Sequence, residues 1–370
     1  MTDLAITAVR IPPTPDGGDP GGEVSQDGAA GFHACQALRE AHEREKWGNL
    51  DRCPAPAEAM EFWRGNEYEE RHLYIATLNG ATVGLCSVTL PLRENTSTAG
   101  IDVLVAPAFR RRGWGRRLLE YAESVAAGRG RRSLDAYCEI PPEQMEHSGR
   151  LLPAKSGAGG LPWGEASTAF AASAGYELEQ VERSGRLALP VPSERLETLE
   201  TEASAHALAY KMVAWAEECP EVFVAEYAAL KARMSTDVPT AGLDWGTEDW
   251  DAARVREAER SLVRGHGQAL VAAAVHGTSG RLAAYTVLNW RPEVPSSMIQ
   301  QDTLVSAEHR GHRLGMLVKL ANLRLAQQRW PAARSVLTWN ASENQHMLAI
   351  NISLGFKPAG YEGEWQKRLG

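Results

Sequence analysis

The chain has 370 residues, 44% of them hydrophobic and 23% charged, a globular composition whose length suits two domains better than one core. Its formal net charge of −8 excludes a generally basic surface of the kind that binds nucleic acid or anionic membrane. Cys35, Cys53, Cys86, Cys138 and Cys219 form no CxxC, and this odd, irregularly spaced set excludes a disulfide framework and a cysteine zinc site. Met1-Thr2-Asp3-Leu4 starts no signal-peptide pattern and no uncharged apolar run reaches about 18 residues, so a cytoplasmic protein is expected.

In chain order, a short strand is predicted over Ala5–Ile11, then a stretch from Pro12 to Gly31 whose prolines and glycines interrupt regular structure. Helical patterns cover Phe32–Trp47 and Ala55–Arg64. Asn79-Gly80 suits the positive φ angles of a tight turn, so Leu73–Leu78 and Val83–Val88 read as a hairpin. A third strand, Ala99–Val105, enters the loop Ala106–Gly115; a helix follows to Val125, then a strand over Leu134–Cys138. Residues 140–164, with their prolines and the run Ser156–Gly160, read as a long irregular insertion. A short helix, Glu165–Ala174, ends at Gly175, and a strand, Ser184–Leu189, closes the first half before Pro190-Val191-Pro192.

The second half repeats the order. A strand at Tyr210–Ala216 precedes helical patterns at Glu221–Ala232 and Thr247–Arg264. Strands fall at Ala269–Val275 and Leu282–Leu288, joined by His276–Gly280. A strand at Ile299–Val305 enters the loop Ser306–Gly315, with a helix to Gln328, a strand at Ser335–Trp339, a helix at Glu343–Ser353 and a last strand after Phe356. Asp102, Leu104, Val105, Arg110 and Gly115 recur 200 residues later as Asp302, Leu304, Val305, Arg310 and Gly315. These identities in matching strand–loop–helix settings indicate a duplication, with domains expected at 1–190 and 191–370.

The repeated loop carries the chemistry. It delivers a strand to the start of a helix, where unbonded N–H groups and the positive helix end, about half an elementary charge, make an anion site. Gly113 and Gly115 leave the backbone open to a pyrophosphate, and Arg110, Arg111, Arg112, Arg116 and Arg117 supply counter-charge. For Arg116 and Arg117 a solvated basic face is an equal alternative. The Gly-Lys-Ser/Thr of a nucleoside-triphosphate loop and the GxGxxG of a dinucleotide site are both missing.

Val105, Pro107, Arg110, Gly113 and Gly115 together resemble the pyrophosphate loop of the GNAT superfamily of acyl-CoA N-acyltransferases. The second copy keeps Val305, Arg310 and Gly315, with Ala307 at the proline position and Arg313 at the first glycine, while Gly311 offers another small residue. Downstream, Asn344, Gly355 and Phe356 are similar to the family's last helix motif, with Asn351 at the position of its tyrosine. In the first copy the same count reaches Gly164 and Ala171.

The resemblance implies an α/β (α+β) fold of two tandem GNAT domains, each a mixed, mainly antiparallel twisted sheet flanked by helices, an architecture shared with two-domain members such as mycothiol synthase. It implies acetyl-CoA as co-substrate, held by Val103, Leu104, Val105, Arg110, Arg111, Arg112, Gly113, Trp114, Gly115 and Arg116 in the first copy. In the second copy Leu304, Val305, Arg310, Gly311, His312, Arg313, Leu314, Gly315 and Asn344 take that role. No metal is expected, because His309 and His312 have no further ligand at suitable spacing.

The implied reaction is direct attack of a small-molecule amine on the thioester. A lysine-like amine, of pKa about 10.4, first needs a base, and Asp302 and Glu139 are the candidates. Asn351 relays a proton only through water, since a carboxamide does not ionise in this range. The first copy has the better phosphate loop and the second keeps the helix motif, and the balance favours catalysis in the second. A non-catalytic acyl-CoA sensor is the alternative. No nucleic-acid or membrane partner is expected, and the chain is expected to act as a monomer or homodimer.

Overall fold

The computed structural model describes residues 4–13, 26–146 and 149–370. In chain order it contains β1 (Ala5–Ala8), α1 (Gln26–Trp47), α2 (Pro56–Arg64), β2 (Glu69–Leu78), β3 (Ala81–Pro91), β4 (Thr98–Val105), α3 (Trp114–Gly128), β5 (Ser133–Ile140), α4 (Pro142–Glu146), β6 (Leu151–Pro153), β7 (Gly160–Pro162), α5 (Ala166–Ser173) and β8 (Glu177–Ala188). There follow α6 (Ser193–Ser204), β9 (Tyr210–Ala216), α7 (Glu221–Asp237), α8 (Ala252–Arg264), β10 (Gln268–His276), β11 (Leu282–Trp290), β12 (Ser297–Val305), α9 (Leu314–Arg329), β13 (Ser335–Ala341), α10 (Gln345–Leu354) and β14 (Lys357–Arg368). They form two compact units. One comprises the described residues up to Val181 with Ala241–Trp245 and Glu362–Gly370; the other comprises Glu182–Thr240 and Gly246–Tyr361.

In the first unit β1, β2, β3 and β4 pair antiparallel in sequence order, and β5 joins β4 in parallel. The predicted hairpin is present: Leu78 pairs with Ala81 across Asn79 and Gly80, at φ 51° and 79°. Successive residues of β3 face opposite sides. Leu85 joins Phe32, Cys35, Met60 and Trp63 beneath α1 and α2, while Gly84 faces Leu118 of α3. Both faces are covered, which is why Val83–Val88 is an unbroken buried run.

The second unit repeats this plan with β9 to β12 antiparallel and β13 parallel to β12. Val271 and Ala273 of β10 face Trp215, Tyr227, Val255 and Tyr285 under α7 and α8, and Ala272 and Ala274 face Leu314, Leu317 and Val318 of α9. The alanines let α9 lie close to the sheet.

Several elements differ from the sequence expectations. Helix α1 begins at Gln26, inside the stretch read as irregular; the part of that stretch at 14–25 lies outside the described residues. A glycine costs a helix only about 1 kcal/mol, and Gly31 rests against Val9. Helix α6 was not anticipated, β8 starts at Glu177 rather than Ser184, and α8 starts at Ala252, capped by Asp251, which accepts from the Arg254 N–H at 2.8 Å. The insertion at 140–164 holds the short helix α4 and the β6–β7 ribbon.

The largest difference concerns the last strands. Next to β13 in the second unit stands the end of β8, registered Ser335↔Ala188 to Ala341↔Glu182. Next to β5 in the first unit stands the end of β14. There Trp365 is buried against Cys138, Gln366 donates to Asp135 at 2.8 Å, and Leu369 N–H donates to Arg132 O at 2.7 Å. A division at residue 190 assigns 184–189 to the first half and 362–370 to the second; in the structure each belongs to the other unit. Strand pattern encodes which face is buried, not which of two similar sheets receives the strand.

Candidate active site

In each unit the parallel pair opens soon after it forms. β4 and β5 are registered only over Thr98–Gly100 with Ser133–Asp135, and β12 and β13 only over Ser297–Ile299 with Ser335–Leu337. Beyond these points the strands splay, and the backbone of 101–105 and of 300–305 faces an opening on that side. The two openings differ. β3 and β4 keep an unbroken register from Thr89↔Gly100 to Gly84↔Val105. On β12 the register jumps from Leu288↔Gln300 to Thr286↔Thr303, so Gln301 and Asp302 oppose the single residue Val287. This bulge re-aims Asp302 and leaves backbone groups unpaired. Gln300 Nε2 satisfies the freed Val287 carbonyl at 2.6 Å and also donates to Thr286 Oγ1 at 2.9 Å.

The loops after β4 and β12 share one backbone. Residues 111 and 113 have φ 60° and 84°, and 311 and 313 have φ 86° and 55°. Each loop therefore needs two left-handed residues. The first copy meets this with Arg111 and Gly113, the second with Gly311 and Arg313, so Gly311 and Arg313 exchange places with their counterparts while the path is kept. A Cβ on Gly113 meets nothing within 4 Å. Gly115 lies against Phe170 and Val105, and Gly315 against Ile350 and Val305, so both serve helix packing. Among the described residues the first α3 amide with a backbone acceptor is that of Arg117, bonded to Gly113 O at 3.2 Å, leaving the Gly113, Trp114, Gly115 and Arg116 N–H groups open.

The arginines are not equivalent. Arg110 Nε donates to Val105 O at 3.1 Å, and its guanidinium pairs with both oxygens of Glu45 at 2.8 and 2.6 Å. Arg310 repeats this on Val305 O at 3.4 Å and Asp237 at 3.0 Å. Arg110 and Arg310 thus brace the loop against the preceding helix instead of offering unpaired charge. Arg116 donates to Ser173 O at 3.0 Å. Arg111 and Arg112 remain exposed beside the open amides. In the second copy His312 Nδ1 lies 3.1 Å from His206 O, and His309 Nδ1 lies 2.9 Å from the Tyr210 hydroxyl. Neither imidazole belongs to a set of metal-ligand atoms among the described residues. The open amides and exposed arginines of the first loop fit a diphosphate; the second loop offers the same backbone with less charge.

At the second splay lies a cleft of about 270 Å³ lined by Gln300, Asp302, Thr303, Lys319, Asn340 and Asn344 among others. Asp302 Oδ2 accepts Lys231 Nζ at 2.7 Å and the Tyr285 hydroxyl at 3.1 Å. Burial opposes its ionisation, but the Lys231 charge and these two hydrogen bonds outweigh it and hold the carboxyl below its usual range. Asp102 is likewise paired with a cation, Arg39 at 2.8 Å. Neither ion pair is visible in the sequence, because Arg39 and Lys231 lie 63 and 71 residues from their partners.

Glu139 stands at the first splay, bonded to Arg52, whose guanidinium stacks 3.9 Å from the Trp47 ring. Nearby Glu43, which the sequence reading passed over, is pushed up to about 7 by burial and then by the Glu139 charge, and its Oε2 is buried without a partner among the described residues.

Asn344 caps α10, accepting from Met347 N–H at 3.2 Å, and so faces the cleft from the helix start. Asn351, one α10 turn before Gly355, is buried and donates to Asn340 Oδ1 at 2.6 Å. It reaches the cleft through Asn340, and its own Oδ1 has no partner among the described residues. Lys319 was also missed: it occupies an apolar position of α9, where the helical pattern asks for a leucine.

A splayed parallel pair, a glycine-opened helix mouth behind it and a polar cleft in front make up the candidate site. Residues 36–145 match the acetyltransferase (GNAT) family. No curated protein sequence matches the chain. Among solved structures, a tandem GNAT protein from the clavulanic acid biosynthesis pathway is 24% identical, covers 100% of this chain and 99% of its own, and superposes with a TM-score of 0.73. A GCN5-related N-acetyltransferase from Sphaerobacter thermophilus is 13% identical over 99% of this chain and 96% of its own, at 0.58. Residues 36–145 thus carry the sequence pattern of the acetyltransferase (GNAT) family, and the chain as a whole shares the fold of a tandem GNAT protein.

Proposed function

We propose that the protein is an acetyl-CoA-dependent N-acetyltransferase that acetylates the amine of a small molecule by direct attack in a ternary complex, with the second unit as the catalytic copy. The observation that carries this reading is the cleft at the second splay, where the β12 bulge, Asp302, Asn340 and Asn344 converge. Bound acetyl-CoA supplies the activated acetyl group. The loop amides and arginines would hold its diphosphate, and unpaired N–H groups of β12 around Thr303–Val305 would stabilise the charge that develops on the acetyl oxygen. Asp302, already paired to Lys231, orients rather than deprotonates. We further propose a small-molecule acceptor, no nucleic-acid or membrane partner, and a monomer or homodimer. No described helix is long and apolar enough to cross a membrane.

A second reading, an acyl-CoA sensor without turnover, is favoured by Ala171 and Asn351 at the two places where the family carries tyrosine. Incubation with acetyl-CoA and a panel of amines, following thiol release, separates the two. Turnover that disappears in Arg310→Glu, with the fold intact, supports catalysis in the second unit. Binding with no turnover supports the sensor.

A further inference from the structure

We propose that Lys319 Nζ is the base that takes the proton from the acceptor amine; this rests on the acetyltransferase reading above. Lys319 sits on α9 between Val318 and Leu320, 3% exposed, and is one of the residues that line the β12–β13 cleft. Among the described residues it has no hydrogen-bond or carboxylate partner, and the Phe356 ring centroid lies 5.9 Å from Nζ. The charged groups around the cleft are Asp302 on β12, with its partner Lys231 on α7, and Glu182 on β8. From β13 and α10 the cleft is closed by Trp339, Asn340, Asn344 and Met347, all uncharged.

The internal repeat supplies a control. Residue 119, one repeat earlier on α3, is a buried leucine. The fold therefore has no packing need for a lysine here, and the second unit carries an amine where the first carries a methyl-tipped chain. Desolvation disfavours an unpaired buried ammonium, so the side chain sheds its proton far more readily than a surface lysine, and its pKa falls to about 7. An amine largely deprotonated at physiological pH, in the lining of the polar cleft at the splay, matches what proton removal requires.

The step balances. The acceptor enters as an ammonium and gives one proton to Lys319 Nζ. Its nitrogen lone pair then forms the N–C bond as the C–S bond breaks. The second N–H proton, lost as the amide forms, leaves on the thiol, and the Lys319 ammonium discharges its proton to solvent.

Lys319→Leu, copying the first repeat, and Lys319→Arg, which retains a charge and cannot act as a base, test this. With an amine that the wild-type protein acetylates, both variants are expected to lose more than about 100-fold in kcat. Acetyl-CoA affinity by calorimetry should stay within threefold, and the acid limb of the wild-type kcat/KM profile near pH 7 should vanish. Variants that keep kcat within tenfold and the limb at the same pH would overturn the proposal while leaving the acetyltransferase reading intact. A wild-type protein that binds acetyl-CoA and acetylates no amine overturns that reading and this one with it. Independently of activity, the [13C]lysine Cε resonance that disappears in Lys319→Arg should titrate near pH 7, and a midpoint near 10 overturns the proposal.

Discussion

Asp102 and Asp302, one repeat apart, are each neutralised by a cation from the helix ahead of the sheet. At Asp302 the Lys231 charge holds the carboxyl below its usual range, whereas a carboxylate that burial leaves without such a partner is pushed the other way. Glu43 is such a group on the first unit, and its ionisation couples to stability. Its carboxyl titrates at about 7 folded against 4.5 in its ordinary state. Below pH 4.5 both states are protonated and folding bears no penalty. As the pH rises through 7 the unfolded carboxyl has already released its proton, and stability is lost across that window. Glu43→Gln removes the difference. Urea melts should show it more stable than wild type by about 2–3 kcal/mol at pH 8 and unchanged at pH 4.5. An equal gain at both values would place the effect elsewhere.

Among the elements, the loops that start α3 and α9 show how a backbone outlives its motif. The family pattern reads as broken in the second copy, where Arg313 stands for glycine, yet both loops follow the same path with the left-handed glycine moved two residues earlier. Conformation and ligand binding separate cleanly at Gly113. Its Cβ direction is empty, so Gly113→Ala should cost only the left-handed strain, about 1 kcal/mol, with acetyl-CoA binding nearly kept. Gly113→Glu adds bulk and charge beside the open amides and should remove one binding site from the calorimetric stoichiometry. Unchanged stoichiometry in Gly113→Glu would mean that the first loop holds no diphosphate. Arg313→Gly, relieving the same strain at φ 55°, should gain up to about 1 kcal/mol in a thermal melt.

For the whole molecule, the exchange of last strands decides what folds alone. The first unit contains Glu362–Gly370, with Trp365 fully buried and Lys367 paired to both oxygens of Glu123 at 2.9 Å. It also contains Ala241–Trp245, where Asp244 pairs with Arg368 and Trp245 Nε1 donates to Asp135 at 3.0 Å. Deleting 362–370 should therefore expose the β5 amides, 133–140, to hydrogen exchange while those of β10 and β11 stay protected. A fragment ending at residue 190 should fail to fold cooperatively. Protection lost first in the second unit would contradict the assignment of the C-terminal strand.

Local signals in the sequence encode much of the protein. Asn79-Gly80 specified the hairpin because few other pairs tolerate two positive φ angles, and the 200-residue spacing of Asp102 and Asp302 exposed the duplication. Pro107, Arg110 and Gly113 marked the loop between β4 and α3 because strand, turn and helix start follow from neighbouring residues. The site behind the loop depends on distant ones. The bulge at Gln301–Asp302, the Lys231 and Arg39 ion pairs, the buried amine of Lys319 and the destination of residues 362–370 are set by what packs against them across the fold. Charge, burial and strand partner are properties of a surrounding, and a chain acquires its surroundings only when it folds.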